Sequence, residues 1–412
     1  MPAADEKDVE VYLQTSRFIW YMGALGDPYA LLLRGQEDPY GLYEEVRSRG
    51  LLYLSKLDTW VTADHELGNK ILRNPKFGTR NADGTRVAPK YSTLDDSFLK
   101  LDPPDHTRLR RLAIPLFSPK LIPSYRPHAE HLCNELIDRI DLDKEFDLVE
   151  DFSRYLPVSM IRRLLGVPDE IQDEFDRCCR GSALVLEGFV SPEKTHELQD
   201  AVDGLYQIFE DLHELRAREP GDDVISRLVA AEREGIVTRE ENIGICEIIA
   251  VAGTETTTNL VANGIHALMD RRDQWEMLKA NPDLSPQLVE ETLRWDSPAQ
   301  LATRVAHSDV EIAGKQLKAG SLIAVLLGAA NRDPGVFKDP ERFDITRISK
   351  TEHLAFSGGP HYCLGAPLAR MEADAAFRTL AARMPDLRQS GPVTRWVSAS
   401  ARGLRHLPVA AR

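Results

Sequence analysis

The densest chemistry in the sequence is a single cysteine in a turn-rich loop, His353-Leu354-Ala355-Phe356-Ser357-Gly358-Gly359-Pro360-His361-Tyr362-Cys363-Leu364-Gly365-Ala366-Pro367. Glycines and prolines flank Cys363 on both sides, and a helical pattern begins directly after it. Glycine lets the backbone approach a flat ligand and adopt dihedrals that other residues avoid. A thiol just ahead of a helix N-terminus meets backbone N–H groups and the helix dipole, both of which favour the thiolate. A buried structural cysteine in a glycine turn is the plain alternative. A catalytic nucleophile is a second, but no histidine and orienting carboxylate stand out to activate it.

Other segments carry polar groups that need a reason. Ala252-Gly253-Thr254-Glu255-Thr256-Thr257 interrupts an apolar helical run with weak helix formers and a charge. Hydroxyls bonded back to the i−4 carbonyl are the plain account, preferred here for Thr257 and Thr258 but not for Thr256. Glu291 and Arg294 stand i, i+3 on one helix face and can pair, though that spacing recurs in many surface helices. His106 and Arg110 lie one helical turn apart in DPPDHTRLRR, while Arg304 and His361 add a further cation and a further donor. Arginine forks suit carboxylates. Arg108 and Arg111 read as a solvated cluster able to help dock an acidic protein.

Phe356, Gly359, His361, Cys363 and Gly365 together resemble the haem-binding signature of the cytochrome P450 family, and the resemblance extends beyond that loop. Glu291 and Arg294 match the family's ExxR pair, and its meander arginine falls on Arg342 in DPERF. Ala252, Gly253, Glu255 and Thr256 match the oxygen-activation motif of the long central helix. His106, Arg110, Arg304 and His361 match partners of the haem propionates. RGLRHLPV near the C-terminus is similar to the end of bacterial members, and DPPDHTRLRR with FSGGPHYCLG resembles the soluble actinobacterial branch. Ser357-Gly358 departs from the Gly-His of many relatives, and Thr254 stands where a larger residue is frequent.

The resemblance implies a mainly α fold with small β-sheets, the P450 triangular prism with a long central helix. It implies one domain over residues 1–412, with residues 1–35 an N-terminal extension packed on the body. The cofactor implied is haem b (iron protoporphyrin IX), with Cys363 as the axial thiolate that pushes electron density onto the iron. Ala252 and Gly253 would leave room for O2, Glu255 and Thr256 would manage protons, and Glu291, Arg294 and Arg342 would form a buried network behind the loop. Electrons are expected from NAD(P)H through an external ferredoxin reductase and ferredoxin, since no nucleotide-binding glycine motif is present. The expected activity is a haem-thiolate monooxygenase acting on a medium-sized hydrophobic organic substrate, foremost C–H hydroxylation in secondary-metabolite (antibiotic) biosynthesis. Epoxidation, oxidative coupling, demethylation, N-oxidation, or a non-catalytic haem-binding recruitment module are the alternatives. By the family's contact regions, Val87, Phe98, Ile248, Val251, Ala299, Leu301, Thr303 and Val397 line the pocket.

The elements that must position these groups can be read more coarsely. The 412 residues are 42% hydrophobic and 28% charged, which is ordinary for a chain that folds. A net charge of −14 repels phosphate backbones and anionic membranes, so no nucleic-acid partner is expected. Five cysteines without CxxC spacing exclude a disulfide framework. The acidic start is unlike a signal peptide, and no run of about 18 apolar residues occurs, so no membrane anchor is expected and the cytoplasm is the expected address.

Residues 1–35 are weakly patterned. A short helix is expected over 39–50, a strand or hairpin over 52–63, and a long irregular binding segment over 78–101. Helices dominate 104–240, broken at Pro115, Pro119, Pro123, Pro127, Gly166 to Pro168 and Gly188 to Pro192. Thr238 and Glu241 form a capping-box spacing ahead of the longest helix, expected to reach about Arg271. Further helices fall at 283–295 and 366–382, with short strands at 310–312 and 316–324.

Overall fold

The computed structural model describes residues 6–87, 94, 97–184, 192–221 and 223–412, so parts of the expected irregular segment 78–101 and the break at Gly188 lie outside the described residues. The helices are α1 (Glu6–Ala24), α2 (Pro28–Leu33), α3 (Tyr40–Ser48), α4 (His65–Arg73), α5 (Asp105–Ala113), α6 (Ile122–Asp138), α7 (Tyr155–Leu165) and α8 (Gln172–Ser182). They continue with α9 (Pro192–Arg218), α10 (Val224–Arg233), α11 (Arg239–Met269), α12 (Arg272–Ala280), α13 (Ser285–Trp295), α14 (Leu327–Ala330) and α15 (Ala366–Arg383). The strands are short: β1 (Tyr53–Leu54), β2 (Thr59–Thr62), β3 (Phe77–Gly78), β4 (Phe146–Asp147), β5 (Leu301–Ala306) and β6 (Val310–Ile312). The rest are β7 (Lys315–Leu317), β8 (Leu322–Leu326), β9 (Arg388–Gln389), β10 (Thr394–Arg395), β11 (Leu404–His406) and β12 (Pro408–Ala410).

The mainly α expectation with small sheets is met. α11 is the axis of the helical part. Glu241 N–H donates to Thr238 Oγ1 at 3.2 Å and Thr238 N–H donates to the Glu241 carboxylate at 3.0 Å, the reciprocal cap expected from the spacing. From that cap the helix runs 31 residues, about 46 Å at the usual rise. Ile243, Ile245, Ile248, Ile249, Leu260, Val261 and Ile265 are all buried, without a polar stripe, because α7, α9, α10, α13 and α15 pack around it. Among the described residues no helix is long and apolar enough to cross a membrane.

The main sheet has the order β1-β2-β8-β5-β3. β1 and β2 form the expected hairpin, β2 runs parallel to β8, and β8 pairs antiparallel with β5. Within β5, Thr303 pairs with Ala324 and Arg304 with Ile323, so these neighbours face opposite sides of the sheet. Arg304 is turned inward and buried, while Thr303 is exposed.

Three features differ from the sequence expectations. Pro127 lies inside α6 rather than ending it. A proline removes one backbone donor, and the buried face Ala129, Leu132, Cys133, Leu136 and Ile137, on a helix that packs on α15, outweighs that loss. The weakly patterned residues before Gly35 form α1 and α2; α1 leaves Phe18, Trp20 and Tyr21 exposed, which is why its periodicity is faint. Asp27 starts α2 by accepting the Ala30 N–H at 2.8 Å, and it also accepts the Ser55 hydroxyl at 2.9 Å and the Lys56 N–H at 2.8 Å. β5 escaped notice because an arginine interrupts its apolar alternation.

Removing the α11 cap gives a direct check. Thr238→Ala should lower stability by about 1 kcal/mol, seen as an earlier urea midpoint, and an unchanged midpoint would contradict the role given to the cap.

Candidate active site

The Cys363 loop is held by its own backbone. Cys363 N–H donates to the Phe356 carbonyl at 2.9 Å, Tyr362 N–H to Gly359 at 3.1 Å, and Ser357 N–H to Leu354 at 2.8 Å. Gly359 has φ +65°, and a Cβ there would lie 2.4 Å from the Leu72 carbonyl oxygen of α4, so both its dihedral and its close approach require glycine. Gly365 is less constrained, since a Cβ would meet Phe117 and the Cys363 sulfur only at ordinary contact distance. Burial pushes the Cys363 thiol up, against the opposing pull of the Gly365 and Ala366 N–H groups and the Arg110 and Arg370 charges. A bound cation at the sulfur is what would hold it as thiolate.

Beside the loop, the sequence-expected donors do come together. The His106 and His361 rings stand 4.5 Å apart between centroids. Arg110 donates to the Tyr362 carbonyl, and Arg304 Nη1 donates to the Thr303 carbonyl at 2.8 Å. Among the described residues, both ring nitrogens of His106 and Nη2 of Arg304 are buried without a partner. Burial, reinforced by the charges of His361 and Arg110, pushes His106 down to about 4, and burial brings Arg304 down to about 10. Buried donors and cations left without acceptors are costly. This cluster therefore fits an anionic ligand, and the two carboxylates of a haem are what it would take.

Asp102 organises the cluster from behind and was missed from the sequence. It accepts the Thr79 N–H at 2.9 Å and the Arg80 N–H at 2.8 Å, and its carboxylate lies 3.7 Å from His361 Nε2. Its only sequence signal is its place in the motif, three residues before Asp105.

On α11, Thr256 Oγ1 donates to the Ala252 carbonyl at 2.9 Å, Thr258 to Thr254 at 3.1 Å, and Thr254 to Ala250 at 3.2 Å. Back-bonding thus holds for Thr258 as expected, and also for Thr256, where it was not expected. Ala252, Glu255 and Thr256 are half-buried, and the Glu255 charge acts on the Arg154 guanidinium. A Cβ at Gly253 would fall 2.6 Å from Ile161 Cδ1, so this glycine admits α7 against α11 rather than opening space for a ligand.

The expected pocket residues separate. Ile248 and Phe98 are buried, Ala299 and Leu301 are half-buried, Thr303 is exposed, and Val87 is exposed at the edge of the undescribed stretch. Val251 is fully enclosed by protein and so cannot face a pocket. Val397 is 56% exposed in the loop that follows β10, with its methyl packed over Gly35. Arg108 is held by Glu241 at 2.6 Å and Asp105 at 3.2 Å, which leaves Arg111 as the free-standing exposed cation expected of the pair.

The buried network behind the loop forms with one change of member. Arg294 Nε and Nη2 each donate to the Glu291 carboxylate at 2.8 Å, and Arg294 also reaches the carbonyls of Asn331, Pro340 and Arg342. Glu291 accepts the Asp344 N–H at 2.8 Å and Arg347 Nε at 3.1 Å. Arg342 contributes only its carbonyl; its side chain is 70% exposed and 3.8 Å from Asp344. Arg347 is the residue directed inward, its guanidinium bonded to the Glu291 carboxylate and to the carbonyls of Lys338, Asp339 and Arg342. Irregular coil has no period from which this could be read. Arg347→Ala should therefore destabilise by about 2 kcal/mol, as expected for lost hydrogen bonds to a carboxylate that Arg294 still pairs, and Arg342→Ala by less than about 0.5 kcal/mol. Thermal unfolding of the two variants checks the order.

Comparison with known proteins points to one family. Residues 271–382 match the family described as Cytochrome P450. The cytochrome P450 monooxygenase PikC of Streptomyces venezuelae is 34% identical over 402 residues, covering 94% of this chain and 93% of its own. The structure of P450BioI in complex with hexadec-9Z-enoic acid ligated acyl carrier protein superposes with a TM-score of 0.85 at 33% identity, covering 91% of this chain and 98% of the other. The tirandamycin C-bound P450 monooxygenase TamI gives a TM-score of 0.79 at 31% identity, over 91% and 98% of the two chains. With relatives of this identity matching nearly its whole length, and with a thiol, a carboxylate-seeking cluster and a Glu-Arg network in one place, the chain belongs to the cytochrome P450 family.

Proposed function

We propose that the protein is a haem-thiolate monooxygenase that inserts one atom of O2 into a medium-sized hydrophobic organic substrate, with C–H hydroxylation in secondary-metabolite biosynthesis as its reaction. The observation that carries the reading is the set of buried, unpartnered donors on His106 and Arg304 flanking the Cys363 loop. Cys363 would hold the iron, and His106, Arg110, Arg304 and His361 would hold the propionates. Phe356, Gly359 and Gly365 would shape the loop beneath the macrocycle. Bound there, haem b supplies the activation of O2 and the delivery of one oxygen atom to substrate, the other leaving as water.

The chain's own part is to manage protons and exclude water. Because Thr256 directs its proton to the Ala252 carbonyl, its Oγ1 is left as an acceptor that can hold a water on the Ala252 face of α11. Glu255, close enough to Arg154 for their charges to interact, is the acid that replenishes that water. Ala252 leaves room for O2, and Ile248 and Ala299 offer an apolar wall to the substrate, whereas Leu301, on the Thr303 face of β5, packs against the Tyr29, Leu32 and Tyr43 cluster instead. Electrons come from NAD(P)H through a ferredoxin reductase and a ferredoxin, with Arg111 among the cations available to an acidic partner. Residues 1–412 act as one domain, with residues 1–35 an extension on the body, in the cytoplasm. The acyl-carrier-borne fatty acid and the tirandamycin C of the two structural relatives support an organic substrate of this size, either free or carrier-borne.

The test begins with the dithionite-reduced, carbon-monoxide-bound spectrum. The protein should show a thiolate-type Soret band that Cys363→Ala abolishes; a folded, haem-loaded protein without that band overturns the reading. Thr256→Ala should keep the band and NAD(P)H consumption but lower product per NAD(P)H by about a hundredfold, the low end of what a positioned proton-transfer group contributes. Unchanged coupling would remove Thr256 from the proton path.

A further inference from the structure

A polar strut that no part of the reaction scheme uses lies under the Cys363 loop. Arg370, on α15, places Nε 2.6 Å from Glu290 Oε1 and Nη2 3.0 Å from Glu290 Oε2, a two-pronged fork. Its Nη1 reaches the Tyr362 hydroxyl at 3.3 Å, and its guanidinium carbon stands 4.6 Å from the centroid of the Phe356 ring, within cation–π range. His353 closes the far side. Its Nδ1 accepts the Ala355 N–H at 3.2 Å, and its buried Nε2 lies 3.3 Å from Glu290 Oε2 without a formed hydrogen bond. Burial works against ionisation of Glu290, but its neighbours His353 and Arg370 prevail and bring it down to about 2, so Glu290 and Arg370 face each other as anion and cation.

Two features tie this strut to the sulfur. Phe356, which Arg370 covers, is the residue whose carbonyl accepts the Cys363 N–H at 2.9 Å. The charge of Arg370, with that of Arg110, also acts on the Cys363 sulfur in the sense that favours its anion. Hydrogen bonds and charges around an axial sulfur are levers on a haem's reduction potential.

We infer that Arg370 is a positioning residue for the Cys363 thiolate: it clamps Phe356 against the loop and, opposed by the charge of Glu290, sets how readily the bound haem takes an electron. The inference rests on Cys363 as axial ligand. Reduction adds one negative charge to the haem-thiolate unit, so a nearby cation favours the reduced state and a nearby anion opposes it.

The experiment is a spectroelectrochemical titration of the full-length, haem-loaded protein at low ionic strength, with Arg370→Met, Arg370→Lys and Glu290→Gln. Arg370→Met leaves the Glu290 carboxylate uncompensated and should shift the midpoint to more negative potential. Glu290→Gln leaves the Arg370 charge uncompensated and should shift it the opposite way, while Arg370→Lys should stay nearer the parent. A merely structural strut would not give shifts of opposite sign. An unchanged midpoint in a folded, haem-loaded Arg370→Met, or shifts of the same sign in Arg370→Met and Glu290→Gln, overturns the inference. Should Arg370→Met fail to load haem, the sign of the Glu290→Gln shift decides alone: a shift to less negative potential supports the inference, and no shift or the reverse overturns it. Absence of the thiolate Soret band in the parent protein would instead overturn the assignment of Cys363 itself.

Discussion

A buried charge must be paired, and in this protein that constraint ties the regions around the loop together. The Glu291 carboxylate is almost completely enclosed, so its oxygens have to find donors within the fold. Arg294 supplies two from the same helix, and Arg347 and the Asp344 amide supply the rest from the coil that follows β8 and α14. Arg294 in turn donates to three carbonyls of that coil. A coil without regular structure is thereby given one path, and the path delivers the chain to the Cys363 loop. The Glu291 carboxylate and the Arg294 guanidinium are both satisfied, which is the condition under which a buried polar cluster rigidifies its surroundings.

The cluster around His106 and Arg304 obeys the same constraint in the opposite sense. There the donors are gathered and enclosed, yet several have no acceptor. Such an arrangement is unfavourable by itself and becomes favourable when a carboxylate arrives, so the site trades stability for affinity. The sulfur of Cys363 is in a related position. Its burial opposes the anion that its backbone donors and neighbouring arginines favour, and a metal cation would settle the balance. Satisfied charges thus form the frame, and unsatisfied ones mark where the ligand belongs.

α11 shows how small residues can serve two purposes on one helix. Gly253 permits Ile161 of α7 to lie against the backbone, a packing role that a short apolar stretch does not reveal. Ala252, one residue earlier, is on a different face and shares it with Thr256, whose hydroxyl bonds back to the Ala252 carbonyl. The two faces are set by the helical repeat, and what each of them meets is set by the neighbouring helices.

Local spacing in the amino-acid sequence made the capped start of α11 legible and marked the Cys363 loop, the Glu291–Arg294 pair and the His106–Arg110 turn as candidates, whose chemistry came from their resemblance to the cytochrome P450 motifs. Local spacing suffices there because each depends on residues within one helical turn or one tight loop. It could not distinguish Arg342 from Arg347, because which arginine turns inward depends on how an aperiodic coil folds over α13. Nor could it show that Pro127 is tolerated within α6, that Arg304 lies in a strand, or that Val251 is sealed inside the core. Those outcomes are decided by contacts between residues far apart in the chain. The same holds for Asp102, Glu290 and Arg370, whose roles arise from what the completed fold places beside them.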